Sequence, residues 1–153
     1  MSNDDLFSLK GRVALVTGAS SGLGRAAATY LAQAGAQVVG LARRADALEQ
    51  WRTEAGGLTA AIAADLSAGT DHGELVRKVS APFGAPDILV NAAGLNPRRS
   101  ADEVTPEDWD RTIALNLTVP FFLAQAMVPA MREKGWGRIV NFASLQSRRA
   151  FTN

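Results

Sequence analysis

Short apolar runs alternate with stretches of helical period along nearly the whole chain, the pattern of a parallel sheet whose strands are joined by helices. Residues 12–17 (RVALVT) predict a strand ending at a glycine turn. Residues 22–34 predict an alanine-rich helix, with Gly35 just past its end. A second strand at 37–41 and a second helix at 45–54 follow, then a weaker strand at 59–63 and a helix at 70–81 closed by Pro82 and Gly84. Residues 87–91 (DILVN) are apolar through their middle, as a strand covered on both faces must be.

A long helix is expected over 105–134. Thr105 suits the N-cap, Pro106 the first helical position, and Glu107 and Asp108 the positive helix end. Pro120 and Pro129 should kink it or divide it. Residues 138–142 (RIVNF) give a fifth strand. Five strands with helical crossovers predict an α/β fold, a Rossmann-type doubly wound parallel sheet of order 3-2-1-4-5. Its switch point lies between strands 1 and 4, and both conspicuous glycine turns fall there. The chain is expected to be one domain, residues 1–153.

Composition narrows the chemistry. Sixteen basic and fifteen acidic residues leave a net charge of +1, so neither nucleic acid nor an anionic membrane is an expected partner. The absence of cysteine excludes disulfides, thiolate metal sites and a cysteine nucleophile. The single histidine, His72, lies in a polar stretch and reads as a surface residue near a helix start. No metal site is expected. Met1-Ser2-Asn3-Asp4-Asp5 lacks the basic and apolar parts of a secretory signal, and no apolar run approaches the ~20 residues that span a bilayer. A cytoplasmic location is the expectation. Met127, Met131, Phe121, Phe122, Trp109 and Trp136 read as core packing.

The turn after the first strand, Thr17-Gly18-Ala19-Ser20-Ser21-Gly22-Leu23-Gly24, joins a strand to a helix, the setting of a dinucleotide site. Glycine lets the backbone approach a pyrophosphate, and the helix N-terminus offers that anion unpaired N–H groups. The spacing is G-x-x-x-G-x-G, not the general G-x-G-x-x-G. At the end of the second strand an acidic residue would select NAD, but Ala42 stands there. Arg43 suits a 2′-phosphate and favours NADP over NAD, unless Arg43 and Arg44 are merely solvated residues opening the next helix. Arg98-Arg99 and Arg148-Arg149 follow the fourth and fifth strands and read first as solvated loop charges; the other reading is that their guanidinium groups bind an acidic substrate.

T-G-x-x-x-G-x-G resembles the signature of the short-chain dehydrogenase/reductase family, and further motifs extend the match. Asp65-Leu66 is similar to the family's adenine-contacting pair. Val90-Asn91-Ala92-Ala93-Gly94 is similar to its N-N-A-G strand end, with Ala92 in place of the second asparagine. Asn116 matches the asparagine of the long helix and Ser144 the serine after the fifth strand. The stretches Asn96-Pro97-Arg98 and Ser144-Leu145-Gln146-Ser147 look similar to gluconate-type dehydrogenases and 3-oxoacyl-carrier-protein reductases.

The resemblance implies an NAD(P)-dependent oxidoreductase that interconverts a carbonyl and an alcohol. The expected catalytic residues are Ser144 and Asn116. Gly18, Ser20, Ser21, Gly22, Leu23, Gly24, Arg43, Asp65, Leu66, Asn91, Ala92 and Gly94 are expected at the cofactor. In the family a tyrosine follows the serine by about a dozen residues and a lysine four further on. Nine residues follow Ser144, with neither among them, and the only tyrosine is Tyr30. The expectation is therefore a chain lacking the fold's C-terminal part and its catalytic pair, doubtful as an enzyme alone. The partner would be a small carbonyl or alcohol, and the full-length protein a homodimer or homotetramer. Two alternatives remain: a non-catalytic dinucleotide-binding module, and an interaction protein presenting the helix at 105–134.

Overall fold

A computed structural model describes residues 7–67 and 71–145. Five parallel strands form one sheet in the order β3-β2-β1-β4-β5, as the sequence pattern predicts. The strands are β1 (Val13–Thr17), β2 (Gln37–Ala42), β3 (Thr59–Ala63), β4 (Ile88–Asn91) and β5 (Arg138–Asn141). The helices are α1 (Gly22–Gln33), α2 (Ala45–Ala55), α3 (His72–Ser80), α4 (Pro106–Ile113) and α5 (Val119–Glu133).

The period of two in the central strands sorts their side chains into two cores. Leu15, Val39, Leu41 and Leu89 pack with Leu75 and Val79 of α3 and with Val119, Leu123, Met127 and Met131 of α5. Ala14, Val16, Val38, Ile88 and Val90 pack on the other face with Ala28 of α1 and Leu48 and Trp51 of α2. Every residue of β1 and β4 is buried, which is why both read as nearly unbroken apolar runs. Gly40 interrupts β2 for a steric reason. A Cβ there would lie 2.5 Å from Cζ3 of the buried Trp51.

One buried carboxylate ties the N-terminal ends of the strands together. Asp87 is 2% exposed, and its Oδ2 accepts the Val13 N–H at 2.9 Å. Its Oδ1 meets Lys134 Nζ at 2.9 Å, and Lys134 also donates to Ala85 O. The backbone of Asp87 bonds to Val13 on one side and to Arg138 on the other. A single side chain thus sets the start of β1 against β4 and anchors the end of α5.

Several expectations change. The helix expected over 70–81 starts at His72, because the Asp71 carboxylate accepts the Glu74 N–H at 3.0 Å and caps it. His72 is not a free surface residue. Its ring is half-buried and stacked on Phe122 at 5.2 Å, and its Nε2 is buried without a hydrogen-bond partner among the described residues. The long helix is divided before Pro120, by a π-turn at Ala114–Thr118 rather than a break, whereas Pro129 lies inside α5 and does not divide it. Pro120 has no N–H for the carbonyl four residues back, and Val119 N reaches Ala114 O instead.

Helical structure consequently runs unbroken over Pro106–Glu133, 28 residues, and this helix is long and apolar enough to cross a membrane by length and composition. That overturns the expectation that no run comes near the bilayer span, because Thr112 through Met131 holds no charged residue. One face of α5 is nonetheless built into the core. The aromatic residues are a second correction. Met127 and Met131 are buried, but Trp109 and Phe121 are exposed and Phe122 is only partly covered, because they lie on the faces turned away from the sheet. Trp136 is half-buried, with the Arg12 and Arg138 guanidinium carbons 3.9 and 4.7 Å from its ring centroid.

Replacing Asp87 with alanine leaves the buried Val13 N–H unpaired and removes the anchor of Lys134. We expect about 3 kcal/mol of destabilisation, measured as a lowered urea midpoint. An unchanged midpoint would show that the β1–β4 junction does not depend on this carboxylate.

Candidate functional site

The site begins where β1 and β4 end. Thr17, 1% exposed, lies in register with Asn91. Its Oγ1 accepts the backbone N–H groups of Ala92 and Ala93, each at 3.1 Å, and donates to Val90 O at 3.4 Å. This one hydroxyl holds the turn after β4 against the turn after β1. Gly18 follows at φ +72°, and a Cβ on it would meet Ala92 O and Ala93 N at 2.8 Å. A Cβ on Gly24 would lie 2.4 Å from Gly18 O. The missing side chain of Gly18 thus lets the turn after β4 come close, and that of Gly24 lets the first turn of α1 pack on the glycine turn. Gly22 has a different reason, its φ of +56°, since the space around it is open.

A cleft of about 390 Å³ opens beside these turns. It is lined by Gly18, Ser20, Ser21, Leu23, Gly24, Arg43, Asp65, Leu66, Ala92 and Gly94, ten of the twelve residues expected at a cofactor. The other two lie elsewhere: Gly22 is exposed at the turn, and Asn91 lines a neighbouring cleft. Ala42 and Ala93, which lie in the strand-end motifs, also contribute, as do Ala64 and Leu115, small or apolar positions with no recognisable sequence signal.

Arg44 is the residue whose role the sequence concealed. Its Nη2 donates to Ser21 Oγ at 2.6 Å and to Ser20 Oγ at 3.1 Å, so a guanidinium lies directly on the hydroxyls of the glycine turn. Read along the chain, it is simply the second arginine at a helix start. Arg43 lines the same cleft within electrostatic reach of Asp65. The Ser67 hydroxyl and backbone N–H, at 2.7 and 2.9 Å, hold the Asp65 carboxyl below the usual aspartate range, and Arg43 and Arg111 add to the effect.

A second cleft, about 940 Å³, shares Ala92, Ala93 and Gly94 with the first and continues it. Asn116 and Ser144, the expected catalytic residues, both line it, together with Asn91 and Asn141. Asn116 sits in the middle of the π-turn, a feature often found at functional sites. Its Oδ1 accepts the Leu95 N–H at 2.8 Å and its Nδ2 donates to Leu95 O at 2.7 Å. Both ends of this amide thus hold the strand of chain that leaves Gly94.

The arginine pairs fare unequally. Arg99 Nε is bonded to Asp108 Oδ2 at 2.9 Å, which removes it as a free anion receptor. Arg98 is exposed at φ 51°, with its backbone N–H on Asn96 Oδ1. Arg148 and Arg149 lie outside the described residues, as do Gln146 and Ser147. Among the described residues no group of acidic or histidine side chains is arranged to hold a metal ion.

The likenesses to known proteins agree with this arrangement. Residues 12–153 match the short chain dehydrogenase family. Gluconate 5-dehydrogenase of Gluconobacter oxydans is 42% identical over 156 residues, covering 98% of this chain and 60% of that protein. A 3-oxoacyl (acyl-carrier-protein) reductase from Agrobacterium tumefaciens, solved with NADP bound, is 33% identical with a TM-score of 0.86, over 97% of this chain and 58% of its own. A metagenomic short-chain oxidoreductase in complex with NADP is 37% identical with a TM-score of 0.86, over 94% of this chain and 66% of its own. The chain thus spans between 58% and 66% of the length of these three relatives. With its fold, its glycine turn and its sequence in agreement, the chain belongs to the short chain dehydrogenase family of oxidoreductases.

Proposed function

We propose that this chain forms the cofactor-binding half of an NADP-dependent oxidoreductase that interconverts a carbonyl and an alcohol. The observation that carries the reading is the guanidinium of Arg44 on Ser20 and Ser21, beside Arg43, with Ala42 where a carboxylate would repel a 2′-phosphate. Two relatives with bound NADP support it.

The close packing of Gly18 and Gly24 leaves the turn's backbone open to a pyrophosphate at the N-terminus of α1. The cofactor, when bound, supplies a hydride. Ser144 holds the substrate oxygen at the far end of the continuous groove, and Asn116 fixes the chain after Gly94 that forms its floor. Proton transfer at that oxygen calls for a tyrosine whose phenol, ordinarily at a pKa of about 10, is brought down by a lysine. In this reading both come from outside residues 1–153, so the isolated chain binds cofactor without turnover. The substrate is a small carbonyl or alcohol, and the whole protein works in the cytoplasm as a homodimer or homotetramer.

Dinucleotide affinity, followed by NADPH fluorescence, tests the cofactor assignment. Arg44→Ala should weaken NADPH about 10- to 100-fold, the worth of a charge-assisted phosphate contact, while leaving NADH within about 2-fold. Arg43→Ala should show the same direction. Equal affinity of the unaltered protein for NADPH and NADH would sink the NADP assignment. Gly24→Ala tests the turn itself. Its methyl group must displace Gly18 O, so both dinucleotides should weaken together by at least about tenfold, or roughly 1.4 kcal/mol.

A further inference from the structure

Asn141 is the last residue of β5, in register with Asn91 across the β4–β5 pair. Asn91 is 5% exposed, and its Nδ2 donates to Asn141 Oδ1 at 2.8 Å. Asn91 Oδ1 is itself buried and has no hydrogen-bond partner among the described residues. Asn141 is exposed and lines the second cleft with Asn116 and Ser144.

The orientation of the two amides follows from what each choice would bury. Turning both over would pair Asn91 Oδ1 but would put an amide nitrogen with an unpaired N–H in its present place. A buried unpaired acceptor is the lesser cost. Asn141 therefore has its oxygen occupied by Asn91, and its Nδ2 is the remaining amide donor of a residue that lines the cleft. Two neighbouring polar side chains of the cleft are already engaged: both ends of the Asn116 amide bond to Leu95, and the Thr112 hydroxyl donates to Asp108 O at 2.6 Å.

We infer that Asn141 binds reactant, its Nδ2 donating to an acceptor oxygen of the ligand in the second cleft, and that Asn91 is the positioning residue that fixes this orientation. The inference rests on the oxidoreductase reading above. The acceptor is a carbonyl-type oxygen, which the substrate and the carboxamide of the nicotinamide both carry. A neutral amide transfers no proton, so it contributes to binding and alignment rather than to acid–base chemistry.

The test uses the whole oxidoreductase. Asn141→Asp keeps the acceptor for Asn91 but presents no N–H to the cleft; Asn141→Ser keeps a small donor. We expect Asn141→Asp to lose about tenfold, the worth of one hydrogen bond, and Asn141→Ser to lose less, with thermal midpoints within about 2 °C of the wild type. A raised KM at unchanged NADPH affinity and kcat assigns the oxygen to substrate; a raised NADPH dissociation constant assigns it to the carboxamide. Absence of NADPH-dependent turnover in the wild type overturns the functional reading and this assignment with it. An active wild type with unaltered Asn141→Asp kinetics and affinity overturns this assignment alone. So does a fall in both variants that merely follows a loss of stability, since it would make Asn141 a strand-pairing residue.

Discussion

The hydroxyl of Thr17 is the contact on which the site depends. At the switch point of a doubly wound sheet, adjacent strands send their chains in opposite directions, and a crevice opens between them. Thr17 Oγ1 limits that opening by taking two N–H groups from the turn after β4. With the two turns held this close, Gly18 has no room for a side chain, Gly24 has none because α1 packs on Gly18 O, and the backbone of the first turn becomes the wall of a cleft. Asp87 does the corresponding work at the opposite end of the same strands, bonding β1, β4 and α5 through one carboxylate. The β1–β4 pair is thus fixed at both ends by buried polar side chains, and the apolar core fills the space between.

Around this frame the polar groups fall into two kinds. Thr17 and Asn116 have their side chains bonded to backbone and shape the groove, while Asp87 holds backbone and the Lys134 ammonium at the far end of the strands. Arg43, Arg44 and Asn141 lie on cleft walls with charge or N–H groups directed to a ligand in the proposed reading. The π-turn at Ala114–Thr118 belongs to the first kind. Its extra width, imposed where Pro120 cannot donate, carries Asn116 to Leu95 and so sets the path of the chain between the two clefts.

The sheet and the elements flanking it were legible in the sequence because their causes are local. A period of two or of 3.6, a glycine at a positive φ, a proline after a threonine cap: each acts within a few residues, and β3 was predicted to the residue. The glycine turn and ten cleft residues were legible for a related reason, since close backbone approach demands glycine whatever the rest of the chain does. The misplaced aromatic residues mark the boundary of this reasoning. Phe121 and Phe122 follow Val119 in an apolar stretch, and only the direction in which the π-turn rotates α5 separates the buried Leu123 and Met127 from the exposed rings.

By itself, then, the sequence determined the class of fold, the strand order and the position of a dinucleotide-type turn, all of which follow from periodicity and backbone sterics. Tertiary structure alone decided which of two adjacent arginines lies on the Ser20 and Ser21 hydroxyls and which stands by Asp65. It alone decided that Arg99 is bound to Asp108, that His72 stacks on Phe122, and that Asn141 meets Asn91. These are contacts between residues far apart in the chain or one position apart at a turn. Their outcome rests on distances of a few ångströms and on the direction a side chain leaves the backbone, and no spacing of letters carries that information.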